Sequence, residues 1–414
     1  MRRWAPVAPA PVAPAPLALA PLALALALAA CDGGGKPDGP VEDPPSIAAP
    51  GPCADGTWMG AASPDGLVFV ATGTEPGDGS RAAPYSRLLD AVNAVADPGG
   101  TVAVYPGTYE AGIVLRSSGG RPVAIVGCGA EETFLASNTR HAGVALHGPG
   151  ELALRRVAVV GGTPAVAVRA GAAGTVEDVV VSSARRVGVQ VAGPTTVATL
   201  RRLTVADTVL AGAQRGWGIS LADGALTLED SVIAAQRAYG LYAERGVLQV
   251  AGLDIAGGVD GPTVGGIYAH AMESVTLDDV TVRGVRGVGI HLYEVGTATV
   301  RGSVVEDTAA GQRRGAGDAI LVRKGARDTA TVRIEGNTVT RPARFGIAVD
   351  GGDVTLTGNT VTGGLTSDGT SVWATPGTTI TGDPASPLDV GRFPIGRDEH
   401  PGEGPSEFGR PGMP

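Results

Sequence analysis

Two short hydrophobic patterns alternate along most of the chain. The first is a Gly followed by alternating residues: Gly143-Val144-Ala145-Leu146, Gly188-Val189-Gln190-Val191, Gly218-Ile219-Ser220-Leu221, Gly240-Leu241-Tyr242-Ala243, Gly266-Ile267-Tyr268-Ala269, Gly289-Ile290-His291-Leu292 and Gly346-Ile347-Ala348-Val349. Ala165 and Ala319 open degenerate copies. The second pattern has apolar residues at positions one and six and a smaller or polar residue at four, from Leu154/Val157/Val159 through Leu228/Ser231/Ile233 to Leu356/Asn359/Val361. Alternation with period two makes each unit a short strand with one buried face, and strands recurring at a fixed interval predict a solenoid. Successive turns would stack about 4.8 Å apart through parallel pairing.

The two residues after position one of the second pattern test this register. They run Arg155-Arg156, Glu177-Asp178, Arg201-Arg202, Glu229-Asp230, Ala251-Gly252, Asp278-Asp279, Arg301-Gly302, Glu335-Gly336 and Thr357-Gly358. Their charge alternates over most of the series, so stacking places opposite charges on neighbouring turns. These carboxylates therefore read as a structural ladder, not as paired catalytic acids. Asn337 and Asn359, one turn apart, predict a stacked amide pair.

Composition fits a narrow stacked core. The chain of 414 residues holds only 4 Trp, 7 Tyr and 5 Phe, beside 65 Gly and 31 Pro. The net charge of −9, with no basic run interleaved with aromatics, argues against a nucleic-acid partner. No metal cage, phosphate loop or nucleophile triad is evident, and no cofactor is expected. Asp350-Gly351-Gly352-Asp353 reads as a tight turn.

The N-terminus reads as an address. Residues 1–30 start with Arg2 and Arg3 and reach the apolar run Leu17 to Ala30, broken by Pro21, as in a secretory signal. Leu28-Ala29-Ala30-Cys31 resembles the bacterial lipoprotein box, which implies cleavage before Cys31, lipidation of that residue and anchoring to a membrane. Residues 31–52 then form a flexible tether. The expected location is the cell envelope, lipid-anchored in the outer membrane or at the cell surface, with the inner membrane as the alternative. Cys53 and Cys128 remain, and in an oxidising compartment they are expected to form one disulfide, the alternative being two buried free thiols.

Val68-Phe69-Val70, Asp78-Gly79-Ser80, Pro84-Tyr85 and the run Gly100-Thr101-Val102-Ala103-Val104-Tyr105-Pro106-Gly107-Thr108-Tyr109 resemble the opening of bacterial β-helix proteins of the pectate-lyase-like superfamily. The resemblance implies an all-β right-handed parallel β-helix over 101–381. An N-terminal cap region over 53–100 would contain a helix from about Tyr85 to Ala96, with Leu88, Val92 and Val95 on one face. Residues 382–414 read as a Pro/Gly-rich tail. Activity transfers poorly within this superfamily, and its polygalacturonase, pectate lyase and esterase signatures are missing from this chain.

Longer connections collect on one edge of the coil, at 205 to 218, 255 to 266 and 305 to 319. Such insertions commonly build a wall beside a binding face. The Gly-anchored strand borders that edge, and its second and fourth residues after the anchor are expected to face solvent. They are Ser220, Tyr242, Glu244, Tyr268, His270, His291, Tyr293 and Arg323, a candidate stripe for a polysaccharide or cell-surface glycan. Tyr faces pack on sugar rings, while Arg, Glu and His bond hydroxyls or carboxylates. The favoured expectation is non-enzymatic glycan binding or display. Its alternative is a lyase or epimerase in which His291 or Tyr268 removes a uronate C5 proton and Arg323 neutralises the carboxylate.

Overall fold

Each Gly-anchored unit becomes one parallel strand, and each second unit bends round a corner, in most turns as two strands, so a turn of the coil has three sides. The computed structural model describes residues 66–390, apart from 117–120, 138–140, 210–215, 258–264, 311–316, 326–330, 365–371, 377 and 384–387. All of these belong to the second of the chain's two units, Ala49–Pro414. The expected signal (1–30), Cys31, the tether and Cys53 lie outside the described residues. Cys128 is disulfide-bonded.

About ten turns stack through parallel pairing. The Gly-anchored strands form a 12-stranded sheet, and the other two sides form a 22-stranded sheet that bends round a corner. Ala225–Gln236 and Val247–Gly257 run through that bend without interruption. Like stacks on like inside: Leu154, Val176, Leu200, Leu228, Val250, Leu277, Val300, Ile334 and Leu356 are register partners in sequence. All nine are buried. Aliphatic side chains of this size fill the narrow interior, which is why so few aromatics suffice.

The corners are made by single residues in the left-handed region. At the bend after the first side, φ is 55° at Arg156, 53° at Asp178, 46° at Arg202, 47° at Asp230 and 52° at Asp279, and Gly252, Gly302, Gly336 and Gly358 hold the same place. Ala170, Asp223, Arg245, Ala271 and Glu294 do the same where the Gly-anchored strand ends, with φ between 50° and 62°. Gly and Asp recur there because a left-handed residue costs them least.

The charge ladder forms as expected. Arg202 reaches Asp178 at 2.6 Å and Glu177 at 2.5 Å, Arg201 reaches Glu229 at 2.7 Å, and Arg301 reaches Asp278 at 2.9 Å. The bonded Arg202 guanidinium holds the Asp178 carboxyl below the usual carboxylate range. These side chains are substantially exposed, so the pairs favour register more than they stabilise the coil.

The helix Leu88–Ala96 buries Leu88, Ala91, Val92 and Val95 against the first strands, as a cap. It begins three residues later than expected, because Tyr85 is extended and bridges Val70. At the other end Leu388–Val390 pairs with Val372–Ala374. Paired strand therefore continues beyond 381, inside the segment read as tail.

Candidate functional site

The outer surface of the 12-stranded sheet carries two rows set by the pleat. The row two residues after the anchor runs Gln190, Ser220, Tyr242, Tyr268, His291, Leu321. The row four residues after it runs Ala222, Glu244, His270, Tyr293, Arg323, Asp350. All eight expected residues thus share one face of the coil. Their depth differs from expectation.

Ser220, Tyr242, Tyr268 and His291 were expected in solvent but are buried, with 0%, 3%, 6% and 5% of their surface exposed. Stacking consumes the ring faces. Tyr242 lies between Trp217, centroids 4.4 Å apart and 4° from parallel, and Tyr268, at 5.3 Å and 19°. Tyr239 packs beside both, at 6.2 and 5.2 Å. His291 meets Tyr268 edge-on at 5.0 Å. Glu244, His270, Tyr293 and Arg323 are half-buried and form the accessible row beside this aromatic floor, with His270 6.1 Å from Tyr268 and Tyr293 6.2 Å from His291 between ring centres.

That row is held in place by pairing. Tyr242 donates its hydroxyl to Glu244 Oε2 at 3.3 Å, and Arg245 pairs with both Glu244 and Asp223. His270 stacks on Tyr293 at 5.0 Å and 9°, and its Nε2 lies 3.6 Å from Glu294. The Arg323 guanidinium sits 5.6 Å from the Tyr293 ring centre and 3.4 Å from Asp350. Burial, with Arg323 and His270 nearby, pushes the His291 imidazole down to about 3 and keeps it neutral. Burial also raises the Tyr268 phenol well above its ordinary value.

For the proposed acid–base roles this geometry is unfavourable. His291 Nε2 is buried and has no hydrogen-bond partner, so a sugar C5 proton cannot reach it directly. Tyr268 is held protonated, and Arg323 already faces a carboxylate. Asp350 and Asp353 flank a turn with φ of 86° at Gly351 and 99° at Gly352, as expected. Among the described residues no group of three or more His, Cys, Asp or Glu side chains could hold a metal ion.

Two members of the floor were missed in the sequence, Trp217 and Tyr239. Each immediately precedes an anchor glycine, an odd position that strict alternation assigns to the core side with positions one and three, yet its ring packs against the outer-row tyrosines. Alternation alone therefore did not reveal them. Phe345 precedes Gly346 in the same way and stacks on Trp373 at 5.7 Å in a second aromatic cluster near the C-terminal turns. There the buried Asp318 pairs with Arg344, whose guanidinium lies 5.3 Å from the Phe345 ring centre.

Residues 165–361 match the family model described as a right handed beta helix region. The coil is a right-handed parallel β-helix. No curated relative matches the chain by sequence. Solved structures similar to this β-helix include the A-module of the mannuronan C-5 epimerase AlgE6 of Azotobacter vinelandii. The two are 18% identical, with a TM-score of 0.39, over 73% of this chain and 93% of that one. The Dettilon tailspike protein is 11% identical, with a TM-score of 0.46, over 72% of this chain and 68% of that one. Pectate lyase Pel9A is 14% identical, with a TM-score of 0.37, over 77% of this chain and 78% of that one.

Proposed function

We propose that this β-helix is a non-enzymatic glycan-binding module, exported and anchored to a membrane through lipidated Cys31. The observation that carries the reading is the half-buried row Glu244, His270, Tyr293 and Arg323, fixed by polar pairing and stacking beside a buried aromatic floor. Its side chains surrender little freedom on binding, and they offer a phenol face beside charged hydrogen-bonding groups. The burial of His291 and Tyr268 supports binding over proton abstraction.

A glycan array probed with the full chain tests the reading. Binding is expected, and His270→Ala with Tyr293→Ala should reduce it while the melting temperature barely moves. Undiminished binding by the double variant would place recognition elsewhere. Accumulation of unsaturated product near 235 nm from a uronate polymer would overturn the non-enzymatic reading. For the anchor, Cys31→Ser should release the chain from the membrane fraction, and retention of a correctly cleaved variant there would refute lipidation.

A further inference from the structure

The accessible row begins several turns before Glu244. His147 and Arg169 occupy the same register position on the two preceding strands of that sheet, followed by Ala192 and Ala222. Arg116 follows Leu115, the register partner of Leu146, and so precedes His147 in the row. Three basic side chains therefore stand on consecutive turns. Farther along the row each polar side chain has a complementary partner beside it: Glu244 has Arg245, His270 has Glu294, and Arg323 has Asp350.

The first three are different. Among the described residues no carboxylate lies within ion-pair distance of Arg116, His147 or Arg169. The Arg169 guanidinium is half-buried, and its one hydrogen bond there is from Nη2 to Gln190 Oε1 on the next turn. Four of its five N–H donors remain unused in that set. Burial, then Arg116 and Arg169, pushes the His147 imidazole below its ordinary value, so mutual repulsion adds to the cost of desolvation. A half-buried guanidinium normally finds an anion, because leaving it uncompensated is expensive. Elsewhere the chain does this repeatedly with Asp and Glu, and here, among the described residues, it does not.

We infer that Arg116, His147 and Arg169 form an oxyanion subsite, which takes a carboxylate or sulfate group of an acidic glycan lying along this row. The planar fork of Arg169 suits two oxygens of such a group, with Gln190 fixing its orientation. Arg116, more exposed, supplies charge at the entrance. The inference deepens the glycan reading and rests on it for the polymer, but not for the anion.

Two arms test it on the full chain. In the first, inorganic sulfate is titrated while the His147 imidazole is followed by NMR, assigned with His147→Gln. Bound sulfate should raise the pKa of His147, and Arg169→Gln should abolish the rise; no sulfate-dependent change overturns the subsite whatever the glycan result. In the second arm, oligogalacturonate, dextran sulfate and neutral dextran are compared by calorimetry. Arg116→Ala with Arg169→Gln should weaken the charged polymer that binds by about tenfold or more and leave any dextran binding unchanged. Preference for oligogalacturonate identifies the carboxylate source, and preference for dextran sulfate the sulfate source. A sulfate response without binding of any polymer would uphold the subsite and sink the glycan reading. Equal binding of charged polymers by the variant would overturn the subsite's role in glycan recognition.

Discussion

Replacing Asn337 separates side-chain hydrogen bonding from packing in this coil. Its Oδ1 accepts the backbone N–H of Ser303 at 2.9 Å, and its Nδ2 donates to Val300 O and to Asn359 Oδ1, each at 2.9 Å. Asn359 Oδ1 in turn accepts the Asn337 N–H at 3.0 Å. Both amides are buried. Asn337→Ala strands the Ser303 N–H without an acceptor and weakens the coverage of the Val300 carbonyl. An unsatisfied buried group costs about 1–3 kcal/mol, so a total loss of about 2–4 kcal/mol is expected. Two earlier turns solve the same problem with a hydroxyl: Ser231 accepts from Leu203 N and Ser303 from Val280 N, both at 3.1 Å. Asn337→Ser should therefore retain the inter-turn bond and lose less than half as much. Equilibrium urea unfolding followed by circular dichroism gives the comparison, and hydrogen exchange at the Ser303 amide shows whether the loss is local, as nearest-neighbour coupling in a solenoid allows. The reasoning fails if Ser costs as much as Ala, or if Ala costs under about 0.5 kcal/mol, within the range of an ordinary surface substitution.

Ala271 holds φ at 50° at a corner, so Ala271→Gly should raise stability by about 0.5–1 kcal/mol, and a lower urea midpoint would show that the corner is not strained. His291 stays neutral in the folded coil down to a pKa of about 3, whereas the unfolded chain protonates it below its ordinary value near 6.5. The unfolded state thus binds more protons as pH falls, and stability drops through that window. Between pH 7 and pH 5 wild type should lose about 2 kcal/mol more than His291→Leu, and equal losses would contradict the burial argument.

The register was legible because it is written twice, once in the alternation of apolar positions and again in the charges that oppose each other on neighbouring turns. Arg201 could be matched to Glu229, and Asn337 to Asn359, from spacing alone. Depth was not legible. Alternation says that Tyr242 and His291 leave the core on the outer side, but not that Trp217, Tyr239 and Tyr268 close over them, since that depends on side-chain size across several turns and on residues just before the anchors. A strand pattern assigns a face. Burial on that face is a property of the stack. The same limit applied to charge: Arg169 is one arginine among many in the sequence, and its distinction, a half-buried position with no carboxylate opposite among the described residues, exists only once neighbouring turns are superposed.

The superposed row also sets a length. From Arg169 through Ala192, Ala222, Glu244, His270 and Tyr293 to Arg323 there are six inter-turn steps. At about 4.8 Å each they span about 29 Å. The two alanines leave the path low between Arg169 and Glu244, and the negative charge of Glu244 is already met by Arg245, so an acidic polymer would not be turned away there. An oligomer shorter than the stretch from Arg169 to Tyr293 can engage the basic end or the Tyr293 platform. One that covers it engages both, and the second contact is made at the high effective concentration set by the first. Affinity for the charged polymer should therefore rise gently with chain length, increase steeply once the oligomer spans the five steps from Arg169 to Tyr293, about 24 Å, and then level off. In Arg116→Ala with Arg169→Gln the steep increase should vanish while the weak binding of short oligomers to the platform persists. A smooth rise in both proteins, growing only with the number of equivalent positions on the polymer, would mean that the two ends of the row do not act on the same chain.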